Sequence, residues 1–201
     1  WPAMLMSAGL PLPTQIFGHG WVTFKGEKMS KSLGTVVDPL EAADRLGPDP
    51  LRLFLAKEIV FGGDGDFSWD RFEEKYNADL ANNLGNLVSR LTAMADRYQQ
   101  GVVRGVLFEG LDDGGAASSL CGTALEVERA WAAAMDRLAL DEAAAAVFLL
   151  IDRTNEYLAL QSPWHFAKSG DSARVNHVLW HSSEALRIAA TEPGRAPAAG
   201  L

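Results

Sequence analysis

The chain has 201 residues, of which 48% are hydrophobic and 22% are charged, and its formal net charge is -8. This length allows one large domain or two small ones, and the composition excludes disorder of the whole chain. The net negative charge argues against a protein that coats nucleic acid through general electrostatics, so any nucleic-acid contact must be local.

Cysteine content and hydropathy restrict the class of protein further. The single cysteine, Cys121, excludes an internal disulfide and a cysteine-rich zinc site within these residues, and we expect it to be a small buried residue. No segment approaches the ~20 consecutive apolar residues of a membrane-spanning helix, so we expect a cytoplasmic protein without a membrane partner. The chain begins at Trp1 within an apolar pattern, which favours an N-terminal truncation.

The first residues are predicted to be loop and strand. Glycine and proline interrupt residues 1–36, and short apolar stretches lie between them. Residues 21–24 have strand propensity, and residues 25–27 have the chemistry of a turn. This segment therefore predicts a strand and a turn, and no helix.

Helical patterns begin after residue 37. Asp38 and Asp49 each place an acidic cap before a proline, which predicts two short helices, at about 39–46 and 50–60. The glycine-rich residues 61–66 break this pattern and mark the main internal boundary. The predicted parts are residues 1–66, a helical domain at 67–190, and a disordered or atypical tail at 191–201.

The second part is predicted to be an antiparallel helical bundle. Apolar residues recur every three or four positions from Phe72 to Met94, which is typical of one long amphipathic helix at about 69–100. A loop at 101–118 and three further helices follow, at about 119–138, from a cap at Asp141 to about 161, and after Asp171. Their short connections favour a bundle.

A lysine-rich loop, Lys28-Met29-Ser30-Lys31-Ser32, lies between the predicted strand and the first of these helices. An arbitrary Lys/Ser segment would be an ordinary solvated loop, but this one can present two ammonium groups and two hydroxyls to one anion. The pentamer resembles the KMSKS motif of class I aminoacyl-tRNA synthetases. That resemblance implies ATP and Mg²⁺ as cofactors and an adenylate-forming reaction, in which lysines stabilise the leaving pyrophosphate.

The same resemblance implies roles for individual residues. Lys31 would carry the larger share of this stabilisation, Lys28 would assist it, and Ser30 and Ser32 would support both. His19 with Gly20 would lie near the adenine and phosphates of ATP, although a lone histidine is often structural. Trp1 would line a methionine pocket, with a core tryptophan as the alternative.

Two segments of the second part carry groups suited to unpaired bases. Asn82, Asn86 and Arg90 are spaced by four on the long helix and so share one face, which is either a solvated face or a set of hydrogen-bonding groups for base edges. Pro163 and Trp164 lie at a predicted helix end, where an indole is either a core anchor or a stacking platform.

These two segments, residues 76–90 and 155–164, resemble the anticodon-binding segments of bacterial methionyl-tRNA synthetases. The resemblance implies that Asn82, Asn86, Arg90, Pro163 and Trp164 bind the CAU anticodon. It also implies a mainly α fold, in which the end of a Rossmann-type catalytic domain with the KMSKS loop precedes an α-helical anticodon-binding bundle.

The implied function is that of a methionine-tRNA ligase fragment, with methionine, ATP and tRNA(Met) as substrates. We expect the isolated chain to bind tRNA weakly and to be inactive in adenylate formation. The alternatives are a non-catalytic tRNA-binding helical module and another class I synthetase, such as that for cysteine, leucine, isoleucine or valine. The sequence gives neither the oligomeric state nor the zinc content of the longer protein.

The remaining histidines give no metal site. His165 has no ligand partner at a metal spacing, and His177 and His181, four apart, are expected to form a surface pair rather than a metal pair.

Overall fold

The computed structural model describes residues 1–30, 34–60, 62–105 and 114–191, and it is mainly helical with a small sheet. No helix within these ranges is long and apolar enough to cross a membrane. In chain order the elements are α1 (Pro2–Ser7), β1 (Val22–Phe24), β2 (Glu27–Lys28), α2 (Pro39–Leu46), α3 (Pro48–Glu58), β3 (Gly65–Phe67), α4 (Trp69–Lys75), a π-helical segment (Tyr76–Gly85), α5 (Asn86–Gln99), α6 (Ala116–Asp136), α7 (Leu140–Gln161), α8 (Pro163–Ser169) and α9 (Ser172–Ala190).

The sheet has the strand order β2-β1-β3. β1 and β2 form an antiparallel hairpin, and the turn between them places Lys25 and Gly26 at φ angles of 53° and 77°. β1 pairs in parallel with β3, with Thr23 opposite Asp66. The predicted strand and turn are thus confirmed, whereas the parallel partner was not predicted because it lies within the glycine-rich stretch.

The prediction that residues 1–36 contain no helix is wrong, because residues Pro2–Ser7 form α1. Proline is compatible with the first helical position, where its missing N–H has no intrahelical partner, so Pro2 can begin a helix rather than prevent one.

The predicted helix cap at Asp38 is confirmed, and Asp171, which was predicted only to precede the last helix, is a cap as well. The Asp38 carboxylate accepts a hydrogen bond from the Leu40 N–H (2.8 Å) at the start of α2, and Asp171 accepts from the Arg174 N–H (3.0 Å) at the start of α9. In each case the carboxylate satisfies a backbone donor that the first helical turn leaves without a partner.

Two other caps were predicted wrongly. α3 begins at Pro48 rather than Pro50, because Pro48 also fits the first helical position, and Asp49 therefore lies in the first turn. α7 begins after Ala139, so Asp141 also lies in a first turn, where a negative charge favours the helix dipole without capping it.

Residues from both sides of the predicted boundary form a sheet-side core, which consists of Ala42, Phe54, Phe67 and Phe72. Phe54 meets Phe67 and Phe72 edge-to-face, with ring centroids 5.4 and 5.5 Å apart. Phe72 belongs to α4, so the first turns of the long helix pack on residues that precede them. The predicted boundary at residue 66 stays a prediction.

The long helix is confirmed between residues 69 and 99, but Tyr76–Gly85 is wound as a π-helix. Within this segment the large apolar residues Tyr76, Leu80 and Leu84 are four apart, a spacing between the turns of the two windings, so the pattern could not distinguish them. The predicted loop at 101–118 is shorter than expected, because α6 begins at Ala116; residues 106–113 lie outside the described part of the chain.

α6 packs against α7, and α9 packs against α5, α6, α7 and α8. The short helix α8 was not predicted. The bundle core consists of side chains from α5, α6, α7 and α9, namely Leu87, Leu91, Ala117, Leu120, Ala124, Val127, Phe148, Leu150, Ile151, Tyr157, Leu158, Val175, Val178, Leu179 and Ala185.

The histidines of α9 belong to this interior. His177 and His181 are each 4% exposed, and their ring centroids are 4.5 Å apart, so the expected surface pair is wrong. The spacing of four placed both rings on one face, but that face is turned towards the bundle. Cys121 is half-buried rather than buried. All of the predicted tail except Thr191 lies outside the described residues.

Candidate functional site

The lysine loop is closed at its base by hydrogen bonds between Ser30 and Thr35. The Ser30 N–H donates to Thr35 Oγ1 (2.9 Å), and the Thr35 N–H donates to the Ser30 carbonyl (3.2 Å). Thr35 was not among the predicted site residues. Lys31 and Ser32 lie outside the described residues, but the positions on either side of them are thereby held together.

Lys28 ends strand β2 and is exposed. Its Nζ lies 5.3 Å from the centroid of the Trp21 ring, which is within the range of a cation–π contact. Trp21 is itself 69% exposed. The ammonium therefore rests on an indole at the surface, from which an anion can reach it without removal of a buried partner.

Two acidic residues that the sequence did not single out attach the hairpin to β3. Asp64 accepts a hydrogen bond from the Trp21 N–H (2.7 Å). Asp66 accepts from the Gly26 N–H (2.7 Å) and from Thr23 Oγ1 (2.9 Å). Both carboxylates lie in the stretch that was interpreted as a boundary, and their partners are about forty residues away.

His19 and Gly20 lie just before β1 and line an apolar cleft between this strand and α3. His19 is exposed, and its Nδ1 donates to the Gly20 carbonyl (2.8 Å). Gly20 approaches the backbone of Gly63 so closely that a Cβ at Gly20 would lie 1.7 Å from the Gly63 carbonyl oxygen. Packing alone therefore requires a glycine at this position.

Trp1 precedes α1 and is 69% exposed. The alternative of a core tryptophan is therefore wrong for this chain, and a contact with methionine stays a prediction.

Of the three residues predicted to form the polar face of the long helix, Asn82 and Asn86 are in contact, and Asn86 and Arg90 share a face of α5. Asn82 and Asn86 are exposed and Arg90 is half-buried. Asn86 Nδ2 donates to the Asn82 carbonyl (2.9 Å), so these two positions are in contact. Asn86 and Arg90 lie four apart on a regular α-helix and share a face, whereas Asn82 lies in the π-helical segment, to which α-helical spacing does not apply.

A chain of side-chain amides, which was not predicted, connects this segment to α7. Asn83 Nδ2 donates to Asp152 (2.6 Å), and Asn155 Nδ2 donates to Asn83 Oδ1 (2.9 Å). Asn83 is the immediate neighbour of Asn82, and this connection fixes the segment against the bundle.

Pro163 and Trp164 begin α8. Pro163 is buried, while Trp164 is half-buried, with its ring centroid 6.0 Å from that of His165. α8, which carries Trp164, and α5, which carries Arg90, both pack against α9.

Charged side chains connect α3 to the long helix. Glu58 accepts from Arg71 Nη2 (2.6 Å) and pairs with Lys75 (3.1 Å), and its side chain is 8% exposed. Burial raises the pKa of Glu58, but the hydrogen bonds and charges of Arg71 and Lys75 outweigh burial and hold the pKa below its ordinary value.

Lys57 makes a second connection of this kind. Its Nζ lies 2.6 Å from the Asp79 carboxylate and 4.5 Å from the centroid of the Phe148 ring. Lys57 thus contacts the π-helical segment and α7 at the same time.

Within the described ranges, no group of three or more histidine, cysteine, aspartate or glutamate side chains could hold a metal ion. The chemistry that these residues offer is the binding of anions by lysines and the hydrogen bonding of exposed amides.

The family model described as tRNA synthetases class I (M) matches residues 1–92. The methionine--tRNA ligase of Synechocystis sp. is 43% identical over 190 residues, which cover 94% of this chain and 35% of the relative. That of Bacillus subtilis is 41% identical over 94% of this chain and 28% of its own length. The chain therefore spans about a third of the curated relatives that it matches.

Among solved structures, the Mycobacterium tuberculosis methionyl-tRNA synthetase in complex with methionyl-adenylate matches with a TM-score of 0.83 and 40% identity. The match covers 94% of this chain and 37% of that one. The chain belongs to the methionyl-tRNA synthetase family of class I tRNA synthetases.

Proposed function

We propose that this chain supplies two working parts of a methionine-tRNA ligase: the lysine loop that assists adenylate formation, and the helical face that recognises the anticodon of tRNA(Met). The observation that carries the proposal is that both sets of residues occur in one chain, which matches such ligases over 94% of its length. The ligase would act in the cytoplasm, where tRNA(Met) is charged.

In the first step, a carboxylate oxygen of methionine attacks the α-phosphate of ATP, and the bond from that phosphorus to the bridging oxygen breaks. Methionyl-adenylate forms and pyrophosphate leaves, with Mg²⁺ entering as part of the nucleotide substrate. Negative charge grows on the leaving group, and Lys28 and Lys31 stabilise it by donating hydrogen bonds. The Ser30–Thr35 hydrogen bonds support this role because they hold the base of the loop closed.

In the second step, the methionyl group passes to a terminal ribose hydroxyl of tRNA(Met), and AMP leaves. Recognition of that tRNA would come from the exposed amides of Asn82 and Asn86 and the guanidinium of Arg90, which hydrogen-bond to base edges. The half-buried ring of Trp164 would stack on an unpaired base, and the buried Pro163 would fix the start of its helix.

Binding of an anticodon stem-loop to the 201-residue chain tests the second part. We expect a CAU stem-loop to bind more tightly than a CAA stem-loop in a fluorescence-anisotropy titration. Trp164→Ala should weaken CAU binding about tenfold or more, because the stacking surface is lost, while Trp164→Phe should retain most of it. Equal binding of CAU and CAA would reject methionine specificity and favour another synthetase or a general tRNA-binding module.

Pyrophosphate exchange tests the first part. We expect no methionine-dependent ATP–pyrophosphate exchange from the 201-residue chain alone. A chimaera in which this chain replaces the matching residues of the Synechocystis ligase should be active, and Lys31→Ala in it should lower the exchange rate by about 10²–10³-fold. Lys25→Ala is the matched control, because this lysine lies outside the pentamer. An inactive but folded chimaera would favour the non-catalytic module.

A further inference from the structure

The winding of the long helix changes within the proposed anticodon face, which consists of Asn82, Asn86 and Arg90. Tyr76–Gly85 is π-helical, and at its end the Asn86 N–H donates to the carbonyl of Ala81, five residues earlier. In a regular α-helix it would donate to the carbonyl of Asn82. A π turn contains about one residue more than an α turn. Each added residue rotates the helix that follows by about 100° relative to an uninterrupted α-helix.

This rotation falls between the members of the anticodon face. Asn82 lies before the end of the π-helical segment, and Asn86 and Arg90 lie after it. The Asn86 side chain donates to the Asn82 carbonyl instead of the backbone doing so (2.9 Å). The angle between the Asn82 amide and the Asn86 and Arg90 side chains is therefore set by the π-helical winding.

Gly85 permits this winding. A Cβ at Gly85 would lie 2.8 Å from the Leu80 carbonyl oxygen, a backbone atom five residues earlier that cannot rotate away. An alanine here would force the last turn to shift. Gly122, in the regular helix α6, offers a comparison, because a Cβ there would have no neighbour within 4 Å.

Neighbouring elements hold the segment on both sides. On one side, Asp79 pairs with Lys57 of α3 at 2.6 Å. On the other, Asn83 donates to Asp152 of α7 at 2.6 Å. A change to α-helical winding would rotate Asp79 and Asn83 relative to each other and so disturb these contacts, which means that the fold maintains the observed angle.

We propose that the π-helical segment determines base specificity, with Gly85 as a positioning residue that sets the relative angle of Asn82, Asn86 and Arg90. This inference rests on the proposed function, because it assumes that this face binds the anticodon. Gly85 itself contacts no base: it acts through the amides that follow and precede it.

The test compares Gly85→Ala with Gly122→Ala in the 201-residue chain. The affinities for CAU and CAA stem-loops are measured for each, together with thermal unfolding and circular dichroism. Gly122→Ala should leave both affinities unchanged. Gly85→Ala should weaken CAU binding about tenfold while CAA binding changes little. The reason is that displaced Asn82 and Asn86 amides no longer form the hydrogen bonds to base edges that distinguish CAU. A purely structural role would lower both affinities together.

The possible outcomes are distinct. If the wild-type chain does not distinguish CAU from CAA, the proposed function fails and the inference fails with it. If the wild type distinguishes them and folded Gly85→Ala retains the same affinity ratio, the inference alone is overturned. If Gly85→Ala does not fold, Asn83→Ala decides, since it releases the segment from α7 without a clash; an unchanged affinity ratio in that variant overturns the inference.

Discussion

At the scale of single residues, Gly20 has a packing role that is independent of any ligand. The family resemblance predicts that Gly20 lies near ATP. Independently of that role, the close approach of Gly20 to the Gly63 carbonyl connects the segment before β1 with the segment before β3. A loss of nucleotide binding on mutation of Gly20 could therefore follow from a displaced backbone, and stability has to be measured alongside activity.

Gly20→Ala should lower the free energy of unfolding by about 2 kcal/mol or more, because the new Cβ overlaps a carbonyl oxygen that cannot move independently. Gly18→Ala is the matched control, two residues earlier, where a Cβ would have no neighbour within 4 Å. Urea unfolding measures both. Equal stability of the two variants would contradict the close approach.

Glu58→Gln should change how stability depends on pH. The folded-state pKa of Glu58 is lowered, so its contribution is fully present above the ordinary pKa of 4.5 and is lost as the pH falls through the lowered value. At pH ~7 the variant should be less stable by about 1–2 kcal/mol, since Arg71 and Lys75 lose a charged acceptor. Below pH ~4.5 the difference should narrow.

Urea unfolding of the wild type and of Glu58→Gln between pH ~7 and ~3 measures this difference in the free energy of unfolding. The control is Glu74→Gln, at an exposed position on α4, which should stay within about 0.5 kcal/mol of the wild type at each pH. A difference between Glu58→Gln and wild type that does not narrow in acid would contradict the assignment.

At the scale of elements, local chemistry was enough to predict most helices and one of the three predicted caps. Asp38 before Pro39 marked the start of α2, because both residues act within one turn. The beginnings of α1 and α8 were missed although each has a proline in its first turn, since a short helix has too few residues to show a period.

Asp38→Ala should cost about 1 kcal/mol of stability, because the Leu40 N–H loses the acceptor that caps α2. Asp44→Ala, an exposed position within the same helix, should stay within about 0.5 kcal/mol of the wild type. Thermal or urea unfolding of the two variants measures the difference. A capping role is excluded if Asp38→Ala is as stable as Asp44→Ala.

The π-helical winding and the strand pairing could not be predicted from the sequence, for a different reason. Winding depends on the absence of a side chain at Gly85 and on anchors from α3 and α7, and the parallel pairing of β1 with β3 joins residues 43 apart. Likewise, Asn83 and Asp152 are separated by 69 positions. Such contacts are decided by packing, for which a single sequence carries no local pattern.

At the scale of the whole molecule, Lys57 connects the part that carries the lysine loop with the part that carries Asn82, Asn86 and Arg90. Its helix, α3, packs within the sheet-side core through Phe54, and the Lys57 ammonium reaches Asp79 and Phe148 in the second part. The side chains of Lys57 and Asp79 are 20% and 17% exposed, so water screens their attraction only partly.

A double-mutant cycle on Lys57→Met and Asp79→Asn measures this connection. Each single change should cost about 2–3 kcal/mol, because it leaves the other charge without its partner, and the coupling energy should be about 1–3 kcal/mol. The control cycle is Arg52→Met with Asp49→Asn, a pair on the same helix whose side chains are 81% and 86% exposed. Its coupling should be below about 0.5 kcal/mol. Equal coupling in both cycles would contradict a special role for Lys57.

The parallel pairing of β1 with β3 also has a kinetic consequence. The neighbouring helices α6 and α7 pack together across a short connection, whereas the sheet closes only when the backbone N–H of Trp21 meets Asp64, 43 positions away. Contacts of long sequence separation form slowly, because the intervening chain must be confined first. We therefore expect the α6–α7 pair to form ahead of the pairing of β1 with β3, so that the hairpin carrying the lysine loop takes its place on β3 later than this helix pair forms.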